Sequence, residues 1–213
     1  MLEKLNAFVD SIEDELIKTR RYLHQYPELS GEEKETAKYI AKQLDQLPIG
    51  YKIIETEAGP TVIATLKGKK DSPVIAFRAD MDALPIKDKK LCPYASKVPG
   101  LSHACGHDFN MTSLIGLART LSKFQDDLEG SVRFIFQPSE ENASKSGASY
   151  VVKLGVMDDV DAIWTIHALP DLPAGTIGVR QGAITSAVDI FKIIVKGKGG
   201  HSARPYTAVD AVY

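Results

Sequence analysis

The sequence predicts an α/β fold, a mostly parallel mixed sheet flanked by helices, followed by the start of a smaller α+β domain. Three observations predict it. Short apolar runs of strand character alternate with amphipathic stretches of helical period, as in a sheet covered by helices. The run at residues 74–77 (VIAF) is uniformly apolar, which suits a strand buried on both faces. From about Gln181 the texture changes to a long alternating stretch and the glycine-rich KGKGGHSARP. Domains are therefore placed at residues 1–180 and 181–213.

The elements follow in order. Leu5, Phe8, Ile12, Leu16 and Leu23 recur near helical spacing and predict one amphipathic helix ending before Pro27. Ser30 and Glu33 have the Ser-x-x-Glu spacing of a capping box, so a second helix is expected from Ser30 through Ile40 and Leu44 to Pro48. Strands are expected at residues 52–56, 61–66 and 74–77, then a loop rich in Pro, Gly, Ser and His from Leu84 to about Asp108. Met111, Leu114, Ile115, Ala118 and Leu121 mark the inner face of the next helix. A strand at 131–136, a helix at 148–154 and a strand at 161–166 complete the first domain. Beyond it, residues 187–195 (AVDIFKIIV) read as a long alternating strand, and Thr207-x-x-Asp210 as a second capping box that opens a helix.

Composition narrows the function. A net charge of −2 gives no electrostatic reason to expect nucleic acid or an anionic membrane as partner. No apolar run reaches the roughly 20 residues needed to span a bilayer. The N-terminus mixes acids and bases, unlike a secretory signal, and the expected location is cytoplasmic. Two cysteines, Cys92 and Cys105, are too few for a disulfide scaffold.

Polar clusters fall where strands end, the place where open α/β sheets carry their sites. They are Arg78-Ala-Asp80-Met-Asp82, His103-Ala-Cys105-Gly-His107-Asp108, Gln137-Pro-Ser-Glu140-Glu141, and His167. A thiolate and an imidazole two residues apart, such as Cys105 and His107, can bind one cation, with Gly106 letting the backbone bend between them. Glu140 and Glu141 place two charges just past an apolar strand, where a cation would neutralise them. They also permit a division of labour, one binding metal and the other acting as general base. His167 alone reads as a hydrogen-bonded core or rim residue, and Asp80 and Asp82 alone as structural acids, one of which could orient a ligand histidine or a metal-bound group from behind. A cysteine hydrolase using Cys105 with His103 or His107 is the competing chemistry.

FRADMDALP, SHACGHD, FQPSEE, IHALPDLPAGTIGVRQG and GKGGHSARP resemble, in order, the M20 metallopeptidases. The branch they resemble includes hippurate hydrolases, N-acetyldiaminopimelate deacetylases and plant auxin-conjugate hydrolases. The resemblance implies a zinc-peptidase-like catalytic domain and a lid domain that carries a homodimer contact. It implies two divalent metal ions, Mn or Zn, held by Cys105, His107, Glu141 and His167. Glu140 matches the glutamate that activates water, Asp82 the acid behind the metals, and His201 a lid histidine that holds the substrate and its oxyanion. The activity implied is hydrolysis of N-acyl amino acids to a carboxylic acid and a free amino acid. Two positions depart from the pattern: Asn110 and Tyr206 stand where the family commonly has histidine. Family members are also about twice as long, which implies an N-terminal portion. The alternative is a truncated, non-catalytic remnant that binds metal or a partner chain.

Overall fold

Apolar residues at helical spacing draw the N-terminal segment into two helices rather than the one expected: α1 (Leu2–Ser11) and α2 (Glu13–Gln25). They part at Ile12, whose backbone (φ −107°, ψ 4°) leaves the helical region without a glycine or proline to signal it. The computed structural model describes residues 1–212, which fall into two compact units that divide between Leu169 and Pro170.

The second expected helix is shorter than its capping box implies. α3 runs Lys34–Leu44, and the side chain of its N-cap, Glu33, makes no capping hydrogen bond. Ser30 and Glu33 are engaged elsewhere: the Ser30 hydroxyl donates to Asp82, and Glu33 accepts the backbone amide of Ser139. A local cap is worth only about 1 kcal/mol, so long-range hydrogen bonds from buried groups can override it.

Five strands form one mixed sheet in the order β1-β2-β4-β3-β5: β1 (Gly50–Thr56), β2 (Gly59–Leu66), β3 (Val74–Asp80), β4 (Ser131–Gln137) and β5 (Ala162–Thr165). The β1–β2 and β2–β4 pairings are antiparallel, whereas β4–β3 and β3–β5 are parallel. The helix α4 (His107–Lys123) packs on the sheet, with α1, α2 and α3 against it. Between these layers lie fully buried Leu23, Ile40, Leu66, Met111, Ile115, Phe134 and Phe136. Burying one such side chain contributes about 1.5–3 kcal/mol. On the opposite face α5 (Gly147–Lys153) covers a smaller cluster of Ala76, Ile135 and Val151.

Register then positions the polar clusters. Asp80 pairs with Gln137 across β3 and β4, and Arg78 pairs with Thr165 across β3 and β5. The chain segments that leave the carboxyl ends of all three parallel strands therefore emerge side by side.

The second unit departs from expectation. Among the described residues, 187–195 form no strand, and Ile190, Phe191 and Ile193 stand exposed. An alternating sequence becomes a strand only when a neighbour completes its hydrogen-bond ladder, and among the described residues of this unit the sole β-bridge is Lys198–Val209. Residues 207–212 likewise form no α-helix. Pro205–Thr207 is a single 3₁₀ turn, and the Asp210 side chain accepts the amide of Val212. A helix one turn long is not held by its own hydrogen bonds.

Candidate metal centre

His107 is the centre of the site. It is the first residue of α4 and has no exposed surface. Gly106 before it adopts φ +85°, and a Cβ there would stand 2.8 Å from the Ala168 Cβ. Glycine is therefore required twice, for the backbone turn into the helix and for close passage of the segment after β5. The His107 Nδ1–H donates to the carbonyl oxygen of Asp82 at 2.8 Å, which fixes the ring and aims Nε2 into the site.

Around that ring the predicted residues converge. The Cys105 Sγ lies 3.6 Å from the His167 Nε2, and the His167 ring stands edge-on to His107 with centroids 5.7 Å apart. Carboxylate oxygens of Glu140 and Glu141 each lie 3.8 Å from the His107 Nε2, and that of Asp80 lies 3.7 Å away. The Asp82 carboxylate reaches Nδ1 at 3.4 Å from the other side. Two sets of donor atoms each fall within 4.8 Å of one another: Cys105, His107 and His167, and Asp80, His107 and Glu140.

The remaining hydrogen bonds hold this arrangement in place. Asp82 Oδ2 accepts the Ser30 hydroxyl at 2.6 Å and the Glu141 amide at 2.9 Å. Asp80 accepts the Asn110 side-chain amide at 2.7 Å and Arg78 at 2.8 Å. Asn110 in turn accepts the Ala168 amide at 3.3 Å and so ties β3 to the His167 segment. Behind α4, buried His24 bridges Asp108 and Asp88 through its two ring nitrogens, and Arg20 joins Asp108 at 2.8 Å.

Charge balance shows what the site accepts. Burial draws the His107 imidazole down, but Asp82 and Asp80 outweigh it and raise its pKa to about 9. Burial, a hydrogen bond to Glu141 and the surrounding carboxylates push the Cys105 thiol up to about 12. Glu140 is raised by burial and by the Asp80 carboxylate. Asp82 is held down to about 2: burial opposes its charge, but hydrogen bonds from His107, Ser30 and the Glu141 and Glu140 amides prevail. A nucleophilic cysteine needs electropositive surroundings, so this thiol is unsuited to the cysteine-hydrolase chemistry. A crowd of carboxylates with a thiol and two imidazoles suits a divalent cation instead. The buried His107 Nε2 and Glu141 Oε1 have no hydrogen-bond partner, as fits two ligand atoms.

The profile of the peptidase family M20/M25/M40 matches residues 76–211, more than half of the chain. The chain belongs to this family. It is 50% identical over 198 residues to an N-acetylcysteine deacetylase of Bacillus subtilis, covering 92% of this chain and 51% of that protein. It is 40% identical over 210 residues to an N-acyl-L-amino acid amidohydrolase of Geobacillus stearothermophilus, covering 99% and 56%. Among solved structures it resembles a B. subtilis M20-family protein described as a dinuclear metal binding peptidase, with TM-score 0.76 and 48% identity over 81% of this chain and 48% of that one. This M20-family chain spans about half the length of the relatives it matches.

Sequence reasoning named the residues that converge but left out several that support them. Asp80 was read only as an orienting acid, yet it lies as near the His107 Nε2 as either glutamate. Ser30 and Glu33 were read as a helix cap, and His24 and Asp88 gave no signal at all. His201 lies in the second unit, where its Nδ1 accepts the Ala203 amide at 3.1 Å.

Proposed function

We propose that the protein is a metal-dependent amidohydrolase that cleaves N-acyl amino acids to a carboxylic acid and a free amino acid. The observation that carries this reading is the convergence of Cys105, His107 and His167 beside Glu140 and Glu141, with the His107 Nε2 and Glu141 Oε1 left unpaired. The names of the deacetylase and amidohydrolase relatives point to the same substrate class.

Cys105, His107, Glu141 and His167 would hold two divalent ions, Mn or Zn. Such ions supply Lewis-acid polarisation of the acyl carbonyl and make water a better acid. Glu140 takes the proton from the attacking water and returns it to the departing amine. Burial and the Asp80 carboxylate raise its pKa, the direction that strengthens it as a proton acceptor. Asp82 keeps the His107 ring oriented and, being held ionised, stabilises positive charge at the site. The reading gives His201 the task of donating to the developing oxyanion. Its Nδ1 is an acceptor for Ala203, so the neutral ring carries its proton on Nε2. The catalytic domain spans residues 1–180 in this reading, with a lid domain opening at 181. The working protein is taken as a cytoplasmic homodimer. No helix among the described residues is long and apolar enough to cross a membrane.

The test pairs metal analysis with turnover. Elemental mass spectrometry should find Mn or Zn in the purified protein and much less in Cys105→Ala and Glu141→Ala. Glu140→Gln should keep the metal and lose about 10²–10⁴-fold in hydrolysis of N-acetyl amino acids. Metal without turnover in the whole protein would favour the non-catalytic reading, and turnover in metal-free protein would sink the mechanism.

A further inference from the structure

Both glutamates of the site sit on the turn that leaves β4, and that turn is not relaxed. Ser139 adopts φ +49°, a left-handed conformation that residues with a Cβ seldom enter and that persists only where surroundings over-determine it. Three hydrogen bonds do so. The Ser139 amide donates to Glu33 Oε1 at 2.7 Å, its hydroxyl donates to the Ala58 carbonyl at 2.7 Å, and its carbonyl accepts the Gly147 amide at 3.2 Å.

Glu33 is the one side chain that reaches the turn in this set, and it comes from far away in sequence. It is wholly buried, and its Oε2 lies so close over Gly59 that a Cβ there would stand 2.8 Å away. The carboxylate therefore has little freedom to shift. Three residues earlier in the same loop, the Ser30 hydroxyl holds the Asp82 oxygen that also accepts the Glu141 amide. A single loop between α2 and α3 thus grips the turn on both sides of Glu140.

We propose that Glu33 is a positioning residue: through its hydrogen bond to the Ser139 amide it fixes the turn that presents Glu140 and Glu141 to His107. The catalytic consequence rests on the amidohydrolase reading, whereas the effect on the turn does not.

Two opposed variants of the whole protein test it. Glu33→Asp keeps the charge but withdraws the acceptor by one methylene, and Glu33→Gln keeps the acceptor and removes the charge. Hydrogen–deuterium exchange at the Ser139 and Glu140 amides, zinc affinity by calorimetry, and kcat and KM on an N-acetyl amino acid are measured for both. Glu33→Asp should speed Ser139 exchange at least about tenfold, weaken zinc about 10–100-fold and lower kcat with little change in KM. Glu33→Gln should remain within about threefold of the parent on every count. Equal impairment of the two variants would overturn the proposal, as would unchanged Ser139 exchange in Glu33→Asp. If the parent neither binds zinc nor turns over substrate, the amidohydrolase reading fails, and exchange at Ser139 still decides the role of Glu33.

Discussion

Replacing Glu33 by glutamine makes neutral a side chain whose charge the fold already resists, and the stability of the protein should record it. Burial raises the Glu33 carboxyl to about 7 from an ordinary 4.5, against the hydrogen bond from Ser139 and with help from Asp82. Over that window the native state keeps a proton that the unfolded chain has released. Stability therefore falls as pH rises from about 4.5, and the loss is complete above about 7. The gap, 7 minus 4.5 at about 1.4 kcal/mol per pKa unit, corresponds to about 3–4 kcal/mol. Most of that is lost between pH 5 and pH 8, so the parent should weaken by about 2–3 kcal/mol relative to Glu33→Gln across the interval. Urea denaturation of chelator-treated parent and variant, followed by circular dichroism at both pH values, reads the difference directly. Parallel pH profiles for the two proteins would refute the reasoning, because they would mean that Glu33 does not titrate with folding.

Three further outcomes are expected. Phe134 has no exposed surface, so Phe134→Ala should cost about 3–5 kcal/mol in urea melts, and a loss under about 1 kcal/mol would contradict its core placement. With its thiol pushed up to about 12, Cys105 in metal-free Cys92→Ala protein should react with iodoacetamide at pH 8 at least about a hundredfold more slowly than free cysteine. Equal rates would show the carboxylates do not act on it. Asn110→Ala removes one donor to Asp80 and the tie to Ala168, and should weaken zinc binding about 10–100-fold in calorimetry. Unchanged affinity would leave Asn110 no part in the site.

Patterns that depend on near neighbours were legible in the chain. Helical spacing located α3 and α4, and the apolar runs located β3 and β4, because burial on one face or two writes itself into local periodicity. The candidate site residues drew notice for a related reason: Cys105, His107, Glu141 and His167 as ligands and Glu140 as base are polar groups at strand and helix ends, where an apolar run gives no other account of them. What failed were elements whose stability lies elsewhere in the chain. The strand at 187–195 has the right alternation but no ladder partner among the described residues, and the break at Ile12 carries no local mark.

The residues around the site divide the same way. Sequence alone singled out the side chains proposed to bind a cation and move a proton. Tertiary structure alone decided their mutual distances, and with them the raised pKa values of His107 and Cys105, since burial acts on Cys105 and carboxylates at or just beyond the ends of β3 and β4 act on both. It also decided that Ser30 and Glu33 serve the site rather than a helix end. The capping box is a contest between local and distant hydrogen bonds, and spacing along the chain describes only the local competitor. The distant partners, Asp82 and Ser139, come within reach only when β3 and β4 lie parallel, with Asp80 opposite Gln137.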